Sequence, residues 1–308
     1  VQMSERFLTV IDEPIRGKCE VWLPKFLRTK EQAQGEEEYC DVYIGIPVLK
    51  SHGFCGMTGA LKLHWGSMLG LLEKQEHAGY GFGTGDIRLF LDYLCAMNRA
   101  RGFDIVIMDA LTANRSGPAN KEADFDAKTD FILMNSILCS KDSAAIDTIE
   151  TLLGGYQLDS IPLLESAFRD GIGINKPPYI DLKGFDAFAN HKKWLHEQYP
   201  GCGAGSYPLE NGWGNAKTQD DFNAPVDVDV LCRKTGKGYE FSYRASEPTP
   251  CNHHLARIDL LVNGMVVHRI FDDLAGGSVN INLEKYRNQK VQYRIAAWDM
   301  ALNCTLSE

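Results

Sequence analysis

The pattern of apolar and polar residues divides the chain into parts of different character. From residue 41 to about residue 171, short apolar runs alternate with amphipathic stretches. We predict strands at residues 42–46, 103–108 and 131–135, and helices at residues 87–100 and 144–153. This alternation predicts an α/β domain, with a mostly parallel sheet and flanking helices, over residues 1–172.

After Pro225 the apolar positions recur with a period of two, which is typical of strands with one buried face. The pair Asn263-Gly264 separates two such runs and is a strong hairpin signal. Six or seven short strands predict an all-β sandwich domain, immunoglobulin-like or fibronectin-like, over residues 225–308. Residues 173–224 are rich in Pro, Gly, Asn and Trp, and we predict a connector there with one helix at residues 185–198.

The charge and hydropathy of the sequence argue against several classes of binding partner. The net charge of -9 disfavours nucleic acid and anionic membrane surfaces, which bind mainly through clustered Lys and Arg. No apolar run is long enough for a transmembrane segment, and no basic-then-apolar signal segment opens the chain. Because the sequence starts at Val1 with an unpartnered strand-like stretch, we expect the α/β domain to lack an upstream half.

The nine cysteines include no Cys-x-x-Cys pair. An iron-sulfur cluster and a zinc ribbon are therefore disfavoured. An odd number of cysteines leaves at least one thiol unpaired within the chain, and the disulfide pairing stays open.

The candidate chemistry lies between Lys50 and His64. We expect a strand to end at Pro47, a Gly-rich loop to follow, and a helix to begin near Thr58 as its N-cap. In α/β sheets ligands bind beyond the carboxyl ends of strands, and a helix N-terminus with free N–H groups favours a negative group. We therefore predict an anion site in which Lys50 and Lys62 hold the ligand, with Ser51 and Thr58 as further ligand-binding residues.

In addition to Lys50, two residues are candidates for a catalytic role in acid–base chemistry. A histidine has an unperturbed pKa near 6.5, so His52 is suited to move a proton near neutral pH. Asp109 is expected to end a buried strand before a polar loop, where α/β enzymes place a base or a metal ligand. The alternative for Asp109 is a carboxylate that caps the next turn.

The cofactor cannot be named from these residues. A metal site assembled from His52, Cys55, His64 and Asp109 would offer N, S and O ligands suited to zinc or iron, but their spacing matches no standard motif. A divalent metal therefore stays open. Further along, we predict Asp142 as a helix N-cap, and Asp147 either paired with Lys141 or facing solvent.

Several of these motifs together resemble the uncharacterised family called domain of unknown function 362, over about residues 38–172. The first set of matching residues is Pro47, Leu49, Lys50, His52, Gly53, Thr58, Gly59, Ala60, Leu61, Lys62 and Gly66. The second set is Asp109, Gly117-Pro118, Ser140-Lys141-Asp142 and Asp147. The sequence departs from the family at His64, where members usually carry asparagine.

The resemblance implies a fold but no reaction, because the family has no agreed activity. It also implies another α/β half before the loop. Some members resemble ferredoxins in an added cysteine-rich module, which this sequence lacks, and many look exported by the twin-arginine route.

Three functions remain open at this stage. The first is an enzyme of unknown reaction class, acting on a carboxylated or phosphorylated small molecule or saccharide through a Lys/His site. The second is a secreted binding or adhesion protein that uses the β-sandwich to bind a glycan, and the third is a redox accessory protein. The β-sandwich and the exported character of similar proteins favour a periplasmic or extracellular location, while the oligomeric state is left open.

Overall fold

The structure is a computed structural model that describes residues 6–13, 17–52, 55–67, 87–114, 131–198, 208–209, 214–215, 223–236, 238–249, 253–286 and 289–308. These residues belong to two units. The first contains residues 1–176 and 199–218, and the second contains residues 177–198 and 219–308. The helix predicted within the connector thus belongs to the second unit.

The described part of the first unit contains a hairpin, a mixed sheet with helices, and a short strand pair. In chain order its elements are β1 (Arg6–Glu13), β2 (Gly17–Pro24), α1 (Lys30–Ala33), β3 (Ile44–Gly45), β4 (Val48–His52), β5 (Gly56–Thr58), α2 (Ala60–Leu63), α3 (Ile87–Ala100), β6 (Ile105–Asn114), β7 (Phe131–Ser140), α4 (Ser143–Leu153), α5 (Pro162–Arg169), β8 (Pro208–Leu209) and β9 (Gly214–Asn215). The α/β class is therefore confirmed, and the helices predicted at residues 87–100 and 144–153 are also confirmed, as α3 and α4.

The sheet of the first unit is mixed, which corrects the prediction of a mostly parallel sheet. Strand β6 pairs in parallel with β3 and β4, and antiparallel with β7. Strand β4 also pairs antiparallel with β5. Parallel pairing needs a crossover of a dozen residues or more, and β5 follows β4 after only residues 53–55.

The two faces of this sheet have different surroundings. Val106 and Met108 of β6 are fully buried, whereas Ile107 between them is 37% exposed. On β4 and β7, Val48 and Ile137 are 45% and 65% exposed, and both are paired with Asp109. Opposed residues on neighbouring strands share a face. We call the face that carries Val48, Ile107 and Ile137 the open face.

The second unit consists of a helix and two antiparallel sheets. Its elements are α6 (Phe185–Gln198), β10 (Val226–Thr235), β11 (Gly238–Ser246), β12 (Leu255–Val262), β13 (Met265–Ile270), β14 (Gly276–Ile281), β15 (Tyr293–Asp299) and β16 (Cys304–Leu306). The sheet orders are β10-β11-β14 and β13-β12-β15-β16. Side chains of both sheets contribute to one buried core, including Phe241 and Tyr243 from the first and Leu260 and Ile295 from the second.

The predicted Asn263-Gly264 hairpin is confirmed between β12 and β13, with φ values of 53° and 75°. Positive φ at both central residues is what a two-residue type I′ turn requires. Elsewhere in this unit, the buried Lys192 of α6 donates hydrogen bonds to the Ala301 carbonyl and, at 3.0 Å, to Asn303 Oδ1. Among the described helices, none is both long enough and apolar enough to cross a membrane.

Candidate functional site

The strand predicted at residues 42–46 is β3, which ends at Gly45 ahead of Pro47, but Lys50, Ser51 and His52 lie in a separate strand, β4, and not in the Gly-rich loop expected after Pro47. Between β3 and β4 the Pro47 carbonyl accepts a hydrogen bond from the Asp109 N–H at 2.9 Å, which keeps the chain aligned with β6. Alternation along β4 directs the side chains of Lys50 and His52 to one face and that of Ser51 to the other. Lys50 shares the open face with Val48, and it is paired with Thr58 of β5.

His52 is the last residue of β4, in the antiparallel pair that we call hairpin β4–β5. Its ring is 6% exposed, and Nδ1 accepts a hydrogen bond from the Cys55 N–H at 3.4 Å. A neutral imidazole whose Nδ1 is an acceptor carries its proton on Nε2. Burial raises the pKa of the Cys55 thiol to about 12, while the charge of Lys62 acts in the opposite direction. The structure therefore joins His52 to Cys55, a neutral thiol that lies within electrostatic reach of Lys62.

Helix α2 is not capped as the sequence suggested. Its N-cap is Gly59 rather than Thr58, and no side chain of the N-cap residue takes part. Instead, the Asp147 carboxylate of α4 accepts hydrogen bonds from the N–H groups of Ala60, at 2.7 Å, and Leu61, at 2.9 Å. These N–H groups are therefore engaged by the protein itself, and the predicted contribution of a free helix N-terminus to anion binding is wrong.

Asp147 and Glu150 form a buried carboxyl pair beneath Gly59. Asp147 is 6% exposed and Glu150 fully buried, so the prediction that Asp147 faces solvent or pairs with Lys141 is also wrong. A Cβ at residue 59 would lie 2.3 Å from Asp147 Oδ1 and 2.3 Å from Glu150 Oε2. Only glycine fits between these carboxyl groups.

The environment of this pair favours its protonated forms. Burial raises the pKa of Asp147 to about 7, although the two N–H donors favour the charged form. Burial and the neighbouring Asp147 raise the pKa of Glu150 well above its usual range. Among the described residues, the Glu150 oxygens and the buried Thr58 hydroxyl have no hydrogen-bond partner.

Asp109 lies within β6 rather than at its end, which corrects its predicted position. The strand extends to Asn114 because β7 pairs along it as far as that residue. Asp109 is half-buried, and its Oδ1 accepts a hydrogen bond from the Leu111 N–H at 3.0 Å. This contact agrees with the alternative of a carboxylate that caps local backbone. By register, Asp109 lies beside Val48 on the open face.

His64 lies in an aromatic cluster and not beside His52. Its ring stacks on Phe103 with centroids 4.2 Å apart, and it contacts the edge of Tyr43 at 5.5 Å. Burial, with a smaller effect from Arg101, lowers the pKa of His64 to about 3, so the ring is neutral. In the described ranges no three His, Cys, Asp or Glu residues are grouped to hold a metal ion. The proposed set of His52, Cys55, His64 and Asp109 is thus not assembled.

The rest of the predicted motif is partly described. Asp142 is confirmed as the N-cap of α4, because its side chain accepts a hydrogen bond from the Ala145 N–H at 2.9 Å. Gly117-Pro118 lies outside the described residues. Sequence reasoning missed Glu150; its signal was a second acidic residue one helical turn after Asp147 in a helix with few other charges.

No curated protein and no solved structure shows significant similarity to this chain. A family model does match, over residues 15–151, a segment that contains all the predicted site residues. This match supports the predicted resemblance and identifies the segment as similar to the family described as Domain of unknown function (DUF362).

Proposed function

We propose that hairpin β4–β5 and Lys62 of α2 form the active site of an enzyme that acts on an anionic small molecule or saccharide. The ligand class is a carboxylated or phosphorylated compound. The observation that carries the proposal is the arrangement of His52, whose Nδ1 is held by the Cys55 N–H while Lys62 acts electrostatically on the same cysteine. A histidine oriented by a backbone group beside a cation is suited to acid–base chemistry on an anion.

In this proposal His52 transfers a proton at Nε2. The contact of Nδ1 with Cys55 fixes the ring orientation and leaves Nε2 as the protonated atom of the neutral ring. Cys55 is not proposed as a nucleophile, because burial raises the pKa of its thiol to about 12 and the thiolate is the reactive form. Asp109, on the open face, is the second acid–base candidate.

The anion is assigned to the lysines rather than to the N-terminus of α2. Asp147 already accepts hydrogen bonds from the N–H groups of Ala60 and Leu61, so the negative charge of the ligand must be balanced by fully charged side chains. Lys50 is half-buried and paired with Thr58. Because Ser51 points to the opposite face from Lys50, Thr58 is the stronger hydroxyl candidate for ligand binding.

Binding of three probes to the full chain tests this assignment: inorganic phosphate, citrate and glucose 6-phosphate, measured by calorimetry. We expect at least one probe to bind, and the changes Lys50→Met and Lys62→Met each to weaken that binding about tenfold or more. Lys30→Met is the matched control, since Lys30 is an exposed lysine of α1. Unchanged affinity in Lys50→Met, or no binding of any probe, would remove the proposal.

A second experiment addresses His52. For any probe that is turned over, we expect His52→Gln to lower the rate by a factor of about 10² to 10⁴ and to leave the affinity nearly unchanged. A rate equal to that of the unmodified protein would exclude His52 as the acid–base group.

We also propose that the two sheets of the second unit form a β-sandwich of the fibronectin-like type. Support comes from the single core that residues of both sheets share. In constant-type immunoglobulin domains the fourth strand belongs to the sheet of the first strand. Here the fourth strand, β13, pairs with the third, β12. Backbone chemical shifts and inter-sheet contacts measured by NMR would test this arrangement.

A periplasmic or extracellular location is proposed on the basis of this module. The cysteines do not add support, because none of the seven in the described ranges forms a disulfide bond. Fractionation of the native source tests the location, and recovery in the cytoplasmic fraction would contradict it.

A further inference from the structure

A groove of about 880 Å³ lies in the second unit, away from the site on β4–β5. It is bounded by the end of β11, the start of β12 and the segment that joins β13 to β14. The volume lies in the range of about 300–1,000 Å³ that is typical of small-molecule sites. Its wall combines charged, polar and apolar side chains, and the sequence analysis, which left open glycan binding by this module, named no residues for it.

Two exposed aromatic rings mark one side of this groove. Phe271 lines it and is 41% exposed, and Tyr179 beside it is 63% exposed. Their ring centroids are 5.5 Å apart with the planes tilted by 31°. The two rings therefore form a continuous apolar strip next to the groove, a feature that favours a ligand with flat apolar faces.

The polar groups of the wall are planar and exposed. Arg244, Asp272 and Asp273 line the groove. Within the described part of the chain, no hydrogen bond or ion pair involves their side chains. Glu247, by contrast, is oriented: its Oε1 accepts a hydrogen bond from the Leu255 N–H at 3.1 Å and lies 3.1 Å from His254 Nδ1.

The segment that carries Phe271 is held in place by backbone hydrogen bonds. The Gly276 N–H donates to the Asp273 carbonyl at 3.1 Å, and the Ala245 N–H donates to the Ala275 carbonyl at 3.3 Å. The Tyr243 hydroxyl donates to the Asp273 carbonyl at 3.3 Å. A wall fixed in this way loses little conformational freedom when a ligand binds.

We propose that this groove binds a neutral oligosaccharide. A pyranose ring has apolar C–H faces, which match the exposed rings of Phe271 and Tyr179, and hydroxyl edges, which match planar carboxylate and guanidinium groups. The charge of the wall selects against anions, because the carboxylates of Glu247, Asp272 and Asp273 outnumber the single guanidinium of Arg244. This ligand class differs from the anion proposed for β4–β5, so the two proposals stand or fall separately.

Calorimetry on the full chain tests the groove with cellotetraose, maltotetraose and chitotetraose. Tetragalacturonate serves as the anionic probe and tetralysine as the basic peptide probe. We expect at least one neutral tetrasaccharide to bind with a Kd of about 1 mM or tighter, and tetragalacturonate to bind more weakly.

Variants then locate the binding. Phe271→Ala should weaken binding about tenfold. Arg244→Met and Asp272→Asn should each weaken it severalfold. Both of these changes affect exposed side chains, so the fold should be preserved. Met265→Ala is the control, because Met265 is 63% exposed at the other end of β13 and does not line the groove. The proposal is overturned if no tetrasaccharide binds, if tetralysine or tetragalacturonate binds more tightly, or if the groove variants bind like Met265→Ala.

Discussion

Asp147 and Gly59 lie so close together that a single methyl group at residue 59 would overlap the Asp147 carboxyl group. The two residues are far apart in sequence, yet the N–H groups that follow Gly59 donate to Asp147. This contact joins the glycine-rich part of the candidate site to helix α4.

The first prediction concerns Gly59. The change Gly59→Ala should lower the free energy of unfolding by about 1–3 kcal/mol, because its Cβ would lie 2.3 Å from oxygens of both Asp147 and Glu150. Gly66→Ala is the matched control, since nothing lies within 4 Å of a Cβ there, and we expect a change within about 0.5 kcal/mol. Urea unfolding measures both, and equal effects would contradict the proposed packing.

The second prediction concerns the pH dependence that Glu150 introduces. A buried acid with a raised pKa keeps its proton in the folded state where the unfolded chain has lost it, so its contribution to stability falls as pH rises above about 4.3. Glu150→Gln does not titrate, so its stability relative to the unmodified protein should rise by up to about 1.4 kcal/mol per pH unit above that value. Unfolding at pH 5, 7 and 9 measures the trend, with the exposed Glu37→Gln as the control variant.

The third prediction concerns acid denaturation and His64. Burial lowers its pKa to about 3, so below about pH 6.5 the unfolded state binds a proton that the folded state does not, and stability is lost as pH falls. His64→Leu removes this loss. As pH falls from 6.5 to 3, its free energy of unfolding should therefore rise relative to that of the unmodified protein by up to about 1.4 kcal/mol per pH unit. The exposed His268→Leu is the control. Parallel stability curves for His64→Leu and the unmodified protein would show that His64 is solvated.

The fourth prediction concerns Lys192 in the second unit. Burial lowers its pKa to about 8, so between pH 8 and about 10.4 the unfolded state binds more protons and stability rises with pH. Lys192→Met should abolish this rise, which amounts to about 3 kcal/mol over the interval. Thermal unfolding at several pH values tests it, with the exposed Lys234→Met as control. A rise that survives in Lys192→Met belongs to other groups.

Local signals predicted the elements that local interactions determine. The amphipathic pattern of residues 87–100 and the pair Asn263-Gly264 were interpreted correctly, because helical periodicity and type I′ turns are properties of adjacent residues. The same holds for Asp142, which caps its own helix.

Features that depend on distant residues could not be predicted in this way. The Thr58 hydroxyl looked like the helix cap, but the cap is Asp147, which lies 87 residues after Ala60 in the sequence. Likewise, His64 resembles a ligand in sequence and is buried against Phe103, a partner that only the fold identifies. The extension of β4 through Lys50 and His52 depends on pairing with β6 and β5, which periodicity alone does not report.

The placement of Lys50, Ser51 and His52 within β4 limits how this part of the protein can change in evolution. A loop accepts an added or lost residue with little effect on its neighbours, but a strand paired on both sides does not. A one-residue slip in β4 would exchange the faces on which Ser51 and its two neighbours lie. Substitution can therefore adjust the chemistry of this strand, whereas an insertion or deletion within it would remove Lys50 and His52 from their shared face.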